Sequence, residues 1–426
     1  MAETLEVLIE ERPAGTLTRL PGGSLRFDYG DDYRAQPRAT PLSTSMPRVL
    51  PSHGGGTITP WLWGLLPDSE AVLARWGRAF QVSLASPFGL LASPVGEDCA
   101  GAVRFTAADP ADRSIERAGS VDWLTEDEVA ERLRELRRDS TAWLGPATTG
   151  RFSLAGAQAK TALLVRDGRW GAPSGSTPTS HILKPAIAGF DEHDLNEHLC
   201  LDAARRAGLL AARTHVARFA DQTAIVVERY DRRPTPDGVA RVHQEDVCQA
   251  LGLHPARKYQ ADGGPGPVAV ADLFRRSMSP AAADDAVGRF ADALIWNWVV
   301  AGTDAHAKNY SLLLAGGEVR LAPLYDIASA LPYGESEHAL RFAMKLGRDH
   351  KVTTYRNPWP GVARDLGLRE RELVERARHL SMAAADAFSA SAGTADIAAL
   401  GSGLPARMVD LVAGRAMRCL RALEGA

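Results

Sequence analysis

Asp304, Asn309 and Asp326 fall in one segment, GTDAHAKNYSLLLAGGEVRLAPLYDIAS: an aspartate, an asparagine five residues on, and a second aspartate beyond a Gly-Gly turn. Phosphoryl transfer calls for such a set. It needs oxygen ligands that hold a divalent cation against a triphosphate, and one carboxylate that orients an attacking hydroxyl and takes its proton. The order matches protein kinases, with Asp304 as the catalytic aspartate and Asn309 and Asp326 as Mg²⁺ ligands. His306 and Lys308 are interleaved with them. Any one of these residues alone reads as a helix cap, a turn or a strand end. Together they fit packing poorly, because neighbouring carboxylates raise each other's pKa unless a cation intervenes.

A second segment, RFSLAGAQAKTALLV, places Ala155, Gly156, Ala157, Gln158 and Lys160 in a turn between apolar runs. Small residues let backbone N–H groups approach phosphate oxygens closely. It is not a Walker A loop, since Ala159 rather than glycine precedes Lys160. On its own the segment reads more simply as a hairpin turn with an exposed lysine. In HILKP, Lys184 ends a strand, where a kinase keeps the lysine that holds the α- and β-phosphates; Glu197, in DLNEHLC, is its candidate ion-pair partner. A solvated lysine and an exposed helix glutamate are the commoner explanations. VVERYDRR is a candidate hinge, with the backbone from Glu228 to Tyr230 facing an adenine edge and Tyr230 packing on the base; a charged strand end is the plain alternative. His193, His198, His215, His243 and His254 show no metal-ligand spacing, and no serine or cysteine lies in a G-x-S-x-G context, so hydrolase chemistry has no support.

The elements that must position these residues follow from the pattern along the chain. Residues 1–140 begin with short alternating runs punctuated by PAG, PGG and GGG, and end in the amphipathic stretch TEDEVAERLRELRRD. Residues 141–232 alternate strands with one helix, DLNEHLCLDAARRAGL, the order of a nucleotide-binding lobe. Residues 233–426 are mainly helical and broken by the hairpin YSLLLAGGEVRLAPLYD. The fold class is α+β and two-lobed: after a first domain, a β-containing lobe is followed by a helical lobe, with the cleft at their junction near residues 228 to 231. Trp296 and Trp298, in the helical run ALIWNWVV, are expected to pack the core beneath the catalytic loop.

With 426 residues the chain has ample core for two or three domains. Lys and Arg number 49 against 52 Asp and Glu, so no basic field drives nucleic-acid binding, and any contact with DNA needs a partner or a local patch. The cysteines Cys99, Cys200, Cys248 and Cys419 lie far apart without CxxC spacing, which disfavours a zinc site or a disulfide framework. The acidic start MAETLEVLIEE and the broken apolar stretches lead to the expectation of a cytoplasmic protein with no membrane span.

On these residues the sequence resembles the HipA-type serine/threonine kinase toxins of bacterial toxin–antitoxin modules. The segments that carry the resemblance run nearly end to end: GLLPDSEAVLARW, GEDCAGAV, SLAGAQAKTALL, HILKP, NEHLCLDAARRAGL, VVERYDRR, HQEDVCQALG, WNWVVAGTDAHAKNYSLLL and LAPLYDIAS. The resemblance implies a protein-kinase-like fold with an added N-terminal domain, ATP and Mg²⁺ as cosubstrates, and phosphorylation of serine or threonine on a protein, in this family commonly an aminoacyl-tRNA synthetase. It makes Asp304 the catalytic residue, Asn309 and Asp326 the metal ligands, Lys184 the phosphate-holding lysine, and Glu228, Tyr230 and Asp231 the nucleotide hinge. It also makes Ser153 an autophosphorylation site at the head of the phosphate-covering loop. The departure is Ala159, where the family more usually has an acidic residue or proline. A helix-turn-helix, HipB-like antitoxin is the implied partner, through which the chain would reach DNA. Two other functions fit the same residues: a nucleotide-binding pseudo-kinase or corepressor acting through its antitoxin, and a small-molecule phosphotransferase. Whether labelled phosphate ends on protein, on a metabolite or nowhere separates the three.

Overall fold

A computed structural model describes residues 3–107, 119–144, 152–236, 238–334, 339–351 and 355–424. Its first sheet is built from β1 (Glu3–Ile9), β2 (Arg12–Arg19), β3 (Leu25–Tyr29), β4 (Ser52–Gly54) and β5 (Val103–Ala107), in the order β4-β3-β2-β1-β5. The pairings are antiparallel. Alternation of side chains puts Val7, Ile9, Leu17 and Phe27 on the buried face. The helices α1 (Gly55–Leu65) and α2 (Glu70–Phe80) contribute Trp61, Leu62, Leu65 and Trp76 to the same core.

The second sheet takes β6 (Ser120–Leu124), β7 (Thr161–Arg166), β8 (Arg169–Ser174), β9 (His181–Lys184), β10 (Thr214–Phe219) and β11 (Gln222–Glu228) in the order β10-β11-β9-β7-β8-β6. Asp167 and Gly168, both at positive φ, close β7 onto β8 as a tight hairpin. Strand β6 comes from the stretch before residue 140, yet it pairs with β8 from Ser120 to Leu124. The next helix, α3 (Glu126–Arg138), starts at a capping box between Thr125 and Glu128 and covers β10 and β11. One continuous core joins the first sheet to this second sheet, running from Leu5 to Val226.

The helix α4 (His193–Arg206) belongs to the second core, that of the helical half, through Leu195, Leu199 and Ala203. Two further strand pairs follow: β12 (Arg232–Thr235) with β13 (Gly238–Arg241), and β14 (His243–Asp246) with β15 (Ser311–Ala315), the latter extended by β16 (Glu318–Leu321). Gly316 and Gly317, at φ of 60° and 84°, form the two-residue turn between β15 and β16. The helices of this half are α5 (Pro267–Ser277), α6 (Pro280–Val300), α7 (Trp359–Leu366), α8 (Glu370–Ala392) and α9 (Leu404–Glu424). Both Trp296 and Trp298 of α6 are buried, Trp296 donating to Cys200 O at 3.2 Å and Trp298 meeting Trp359 edge-on. No helix among the described residues is long and apolar enough to cross a membrane.

Candidate active site

The loop that carries Asp304 and Asn309 is set by the end of α6. Ala301 turns into the left-handed region at φ 54°, and at Gly302 a Cβ would lie 2.1 Å from Asn297 Oδ1, so the chain must leave the helix there without a side chain. The loop then locks on Asp304 O, which accepts from the His306 amide at 2.7 Å and from Asn309 Nδ2 at 2.9 Å. That spends the Asn309 amide nitrogen and leaves its carbonyl oxygen as the group it can offer a cation. The Asp304 side chain is 67% exposed, and its Oδ1 accepts from the Tyr259 hydroxyl at 2.7 Å. His306 lies buried edge-on to Tyr259, with Nε2 4.0 Å from Asp304 Oδ2. Burial lowers the His306 pKa and keeps the ring neutral.

Across the cleft, Lys184 at the end of β9 places Nζ 2.8 Å from Glu197 Oε1 of α4 and 2.6 Å from Asp326 Oδ1. Burial works against the Lys184 charge, but Asp326 and then Glu197 outweigh it and raise its pKa. Burial would likewise raise Asp326, yet Lys184 and then Lys160 hold its carboxyl well below the usual range. Asp326 is therefore an anion at neutral pH. It sits at φ 58°, a backbone conformation that aspartate tolerates better than most residues and that is common at functional sites.

The loop from Ser153 to Lys160 forms the roof. Gly156 has φ 105°, and a Cβ there would lie 2.6 Å from Lys160 Nζ. Lys160 donates to Ala155 O at 2.6 Å and lies over the Trp143 ring, 4.7 Å from its centroid. Burial and the Lys184 charge lower the Lys160 pKa to about 8. Gln158 donates to Pro185 O, and Ala157 is exposed. Ser153 is fully buried, its amide donating to Asp98 O and its hydroxyl to Leu65 O at 2.8 Å. The first sheet's module also touches the loop directly, because the Asp68 amide donates to Gly156 O at 3.0 Å.

At the candidate hinge, Glu228 is exposed, its amide donating to Arg213 O, and the Tyr230 ring lies 5.6 Å from that of Tyr325. The Tyr230 hydroxyl donates to Gln244 Oε1, and Tyr325 in turn donates to Lys308 O in the catalytic loop. The side chain of Asp231 points elsewhere. It accepts from the Gly101 amide at 2.7 Å and joins a buried network in which Arg229, Arg232 and Arg241 face Asp98, Asp231 and Glu11. Burial opposes ionisation of Asp98, but the guanidinium groups of Arg232, Arg241 and Arg229 hold it well below the usual range.

These pieces enclose one cleft of roughly 650 Å³, lined by Lys160, Lys184, Tyr230, Asp304, Asn309 and Asp326 among others, a size in the range of small-molecule and cofactor sites. Among the described residues no three or more His, Cys, Asp or Glu side chains group as a metal site. What the cleft offers a cation is the Asn309 carbonyl and the ionised Asp326, a hard-oxygen pair that suits Mg²⁺, which usually takes few protein ligands and completes its shell with phosphate oxygens and water. Sequence reasoning did not single out Asp68, Asp98, Lys258 or Tyr259. Asp68 and Asp98 leave a trace as charge in otherwise apolar text, in GLLPDSE and GEDCAG, whereas Lys258 and Tyr259 stand in the polar run HPARKYQAD and leave none.

The HipA N-terminal domain model matches residues 5–106 and the HipA-like C-terminal domain model residues 152–388. A provisionally named kinase of Sinorhizobium fredii, Y4mE, is 33% identical over 419 residues, 97% of each chain. The serine/threonine-protein kinase toxin HipA of Shewanella oneidensis is 30% identical over 345 residues, 76% of each. Among solved structures, HipA in a Shewanella oneidensis complex of HipA, HipB and operator DNA superposes with a TM-score of 0.83 at 23% identity, covering 99% of this chain and 98% of that one, which gives the fold. With both halves matched in order and a relative of this identity along its whole length, the chain belongs to the HipA family of kinase toxins.

Proposed function

We propose that the chain transfers the γ-phosphoryl group of ATP to a serine or threonine hydroxyl of a protein, as the toxin of a toxin–antitoxin pair. One observation carries this reading: Lys184, paired with both Glu197 and Asp326, faces Asp304 and Asn309 across a single cleft. In the reaction the acceptor oxygen bonds to the γ-phosphorus as the bond to the β,γ-bridging oxygen breaks. The electron pair leaves with ADP, and the hydroxyl proton passes to Asp304. Lys184 holds the α- and β-phosphates, the Ala155–Gln158 backbone with Lys160 covers the triphosphate, and the backbone from Glu228 to Asp231 together with Tyr230 receives the base. His306 lines the same cleft, beside Asp304. Asn309 and Asp326 would hold Mg²⁺, which when bound neutralises triphosphate charge.

Ser153 is the proposed autophosphorylation site. Its hydroxyl donates to Leu65 O in a site with no exposure, so a phosphate dianion could not be housed there and the loop would have to leave the cleft, disabling ATP binding. A translation-related protein such as an aminoacyl-tRNA synthetase is the proposed target, and a HipB-like helix-turn-helix protein the proposed partner, giving indirect access to DNA. The partner rests on the assembly named for the Shewanella oneidensis structure.

The test uses γ-labelled ATP with Mg²⁺ in a lysate, the labelled band being identified afterwards. The wild-type chain should label protein and arrest growth when expressed alone. Both Asp304→Asn and Asp326→Asn should reduce labelling by at least about a thousandfold and relieve arrest. Arrest that persists in both variants removes the reading.

A further inference from the structure

Lys258 precedes the short turn Gln260–Asp262 and lines the cleft beside Asp68, Tyr259 and Asp304. Its Nζ pairs with Asp68 Oδ2 at 2.8 Å and lies 5.4 Å from the centre of the Tyr259 ring. The Tyr259 hydroxyl is the donor to Asp304. A single aromatic ring thus separates this ammonium from the catalytic carboxylate, and all three groups open to the same space.

Asp68 also meets Lys308 of the catalytic loop, at 3.3 Å, and Lys308 has a second carboxylate, Asp246, at 3.4 Å. The Lys308 side chain is 3% exposed and fixed from two sides, whereas that of Lys258 is 15% exposed. If Lys258 leaves, Asp68 is still paired with Lys308, so release strands no buried charge. The other cations lining the cleft have partners away from Asp304. Lys184 is held by Glu197 and Asp326, Arg229 by Asp98 and Asp231, and Lys160 lies under the phosphate loop on Ala155 O. His306, two residues beyond Asp304, is neutral at pH 7 and brings no charge to the acceptor side.

Transfer of a phosphoryl group spreads negative charge over its equatorial oxygens, and cations placed in advance on those oxygens lower the barrier. We infer that Lys258 is a catalytic residue: with ATP in the cleft its ammonium leaves Asp68 and binds the γ-phosphate on the acceptor side, beside Asp304, while Asp68 serves as its holder in the empty enzyme. The inference rests on the kinase reading above. The chemical step is unchanged. The acceptor O–P bond forms, the γ-phosphorus to bridging-oxygen bond breaks, ADP leaves with the electron pair and Asp304 takes the proton. Lys258 contributes charge only and keeps its protons.

The test uses the full chain and two readouts: transfer of label from γ-labelled ATP to the chain itself and to casein, and calorimetric affinity for ADP and for a non-hydrolysable ATP analogue with Mg²⁺. Lys258→Met should slow transfer by roughly 10²- to 10³-fold, leave ADP affinity within about twofold, and abolish the extra affinity that the γ-phosphate gives the wild type. Lys258→Arg should recover most of the rate. Transfer by Lys258→Met at the wild-type rate overturns the inference, and so does loss of ADP affinity along with the rate, which would make Lys258 a support of the cleft. A wild-type chain that labels nothing while binding nucleotide sinks the kinase reading instead; in that case loss of the γ-phosphate increment in Lys258→Met still upholds the contact.

Discussion

Glu197 lies on α4 with its side chain only 1% exposed, one oxygen on Lys184 and the other without a hydrogen-bond partner among the described residues. Burial raises its pKa, Lys184 pulls it back, and the nearby Asp326 works against its charge. Lys184, the lysine it positions, is the group that favours its charged form. Replacing it by glutamine keeps the shape and removes the charge, so Lys184 should shift wholly onto Asp326 and be withdrawn from the phosphates. A hydrogen bond to a charged group is worth about 1.5–3 kcal/mol, so Glu197→Gln should weaken ATP binding by about tenfold or more. Calorimetry with ATP and Mg²⁺ measures this, and an unchanged dissociation constant would show that Glu197 only fills space. At this scale the sequence was legible where residue type and local spacing group residues, as with Asp304, Asn309 and Asp326, which line one cleft. It was opaque where the partner is remote. Asp68 and Lys258 are 190 residues apart along the chain, and nothing in either neighbourhood announces the other.

The elements around these side chains were legible for the same reason that they fold locally. Gly316-Gly317 is a turn dipeptide between apolar runs and closes a hairpin where the pattern expects one, and Asp167-Gly168 closes β7 onto β8 by the same turn chemistry. Strand β6 was not legible as a neighbour of β8, because pairing across about fifty residues leaves no periodic trace in either segment. The loop from Ser153 to Lys160 is an intermediate case: its small residues suggest close approach, but only the backbone shows why Gly156 is glycine. At φ 105° an alanine is strained, by about 1–2 kcal/mol, and its methyl would press on Lys160 Nζ, the mobile end of a flexible side chain. Gly156→Ala should therefore fold, with a melting temperature within a few degrees of wild type, while displacing Lys160 from Ala155 O and weakening ADP binding by about tenfold. Unaltered ADP affinity would mean that the loop conformation is not what the nucleotide uses.

At the scale of the whole molecule the first sheet's module is tied to the rest by buried polar contacts as well as by shared core. Glu245 accepts from the Thr44 amide and hydroxyl, both at 2.8 Å, and from Trp61 Nε1. His243 is bound on both ring nitrogens, Nδ1 accepting from the Ala102 amide at 3.3 Å and Nε2 meeting Leu42 O at 2.9 Å. Those contacts require a neutral ring with its proton on Nε2, and burial accordingly lowers the His243 pKa to about 4. Between the ordinary histidine value near 6.5 and this lowered one, the unfolded chain binds a proton that the folded chain refuses, so stability falls as pH falls through that window and levels off below it. His181, His193 and His198 are lowered in the same direction, so a melting curve of the wild type alone sums all of them. His243→Gln isolates one contribution, because a glutamine amide can donate to Leu42 O and accept from the Ala102 amide without titrating. From pH 7 to pH 4 the wild type should lose about 3 kcal/mol more unfolding free energy than this variant. Parallel stability curves across that range would mean that water reaches the ring on acidification, and that the contact between the first module and the helical half opens before the rest of the fold.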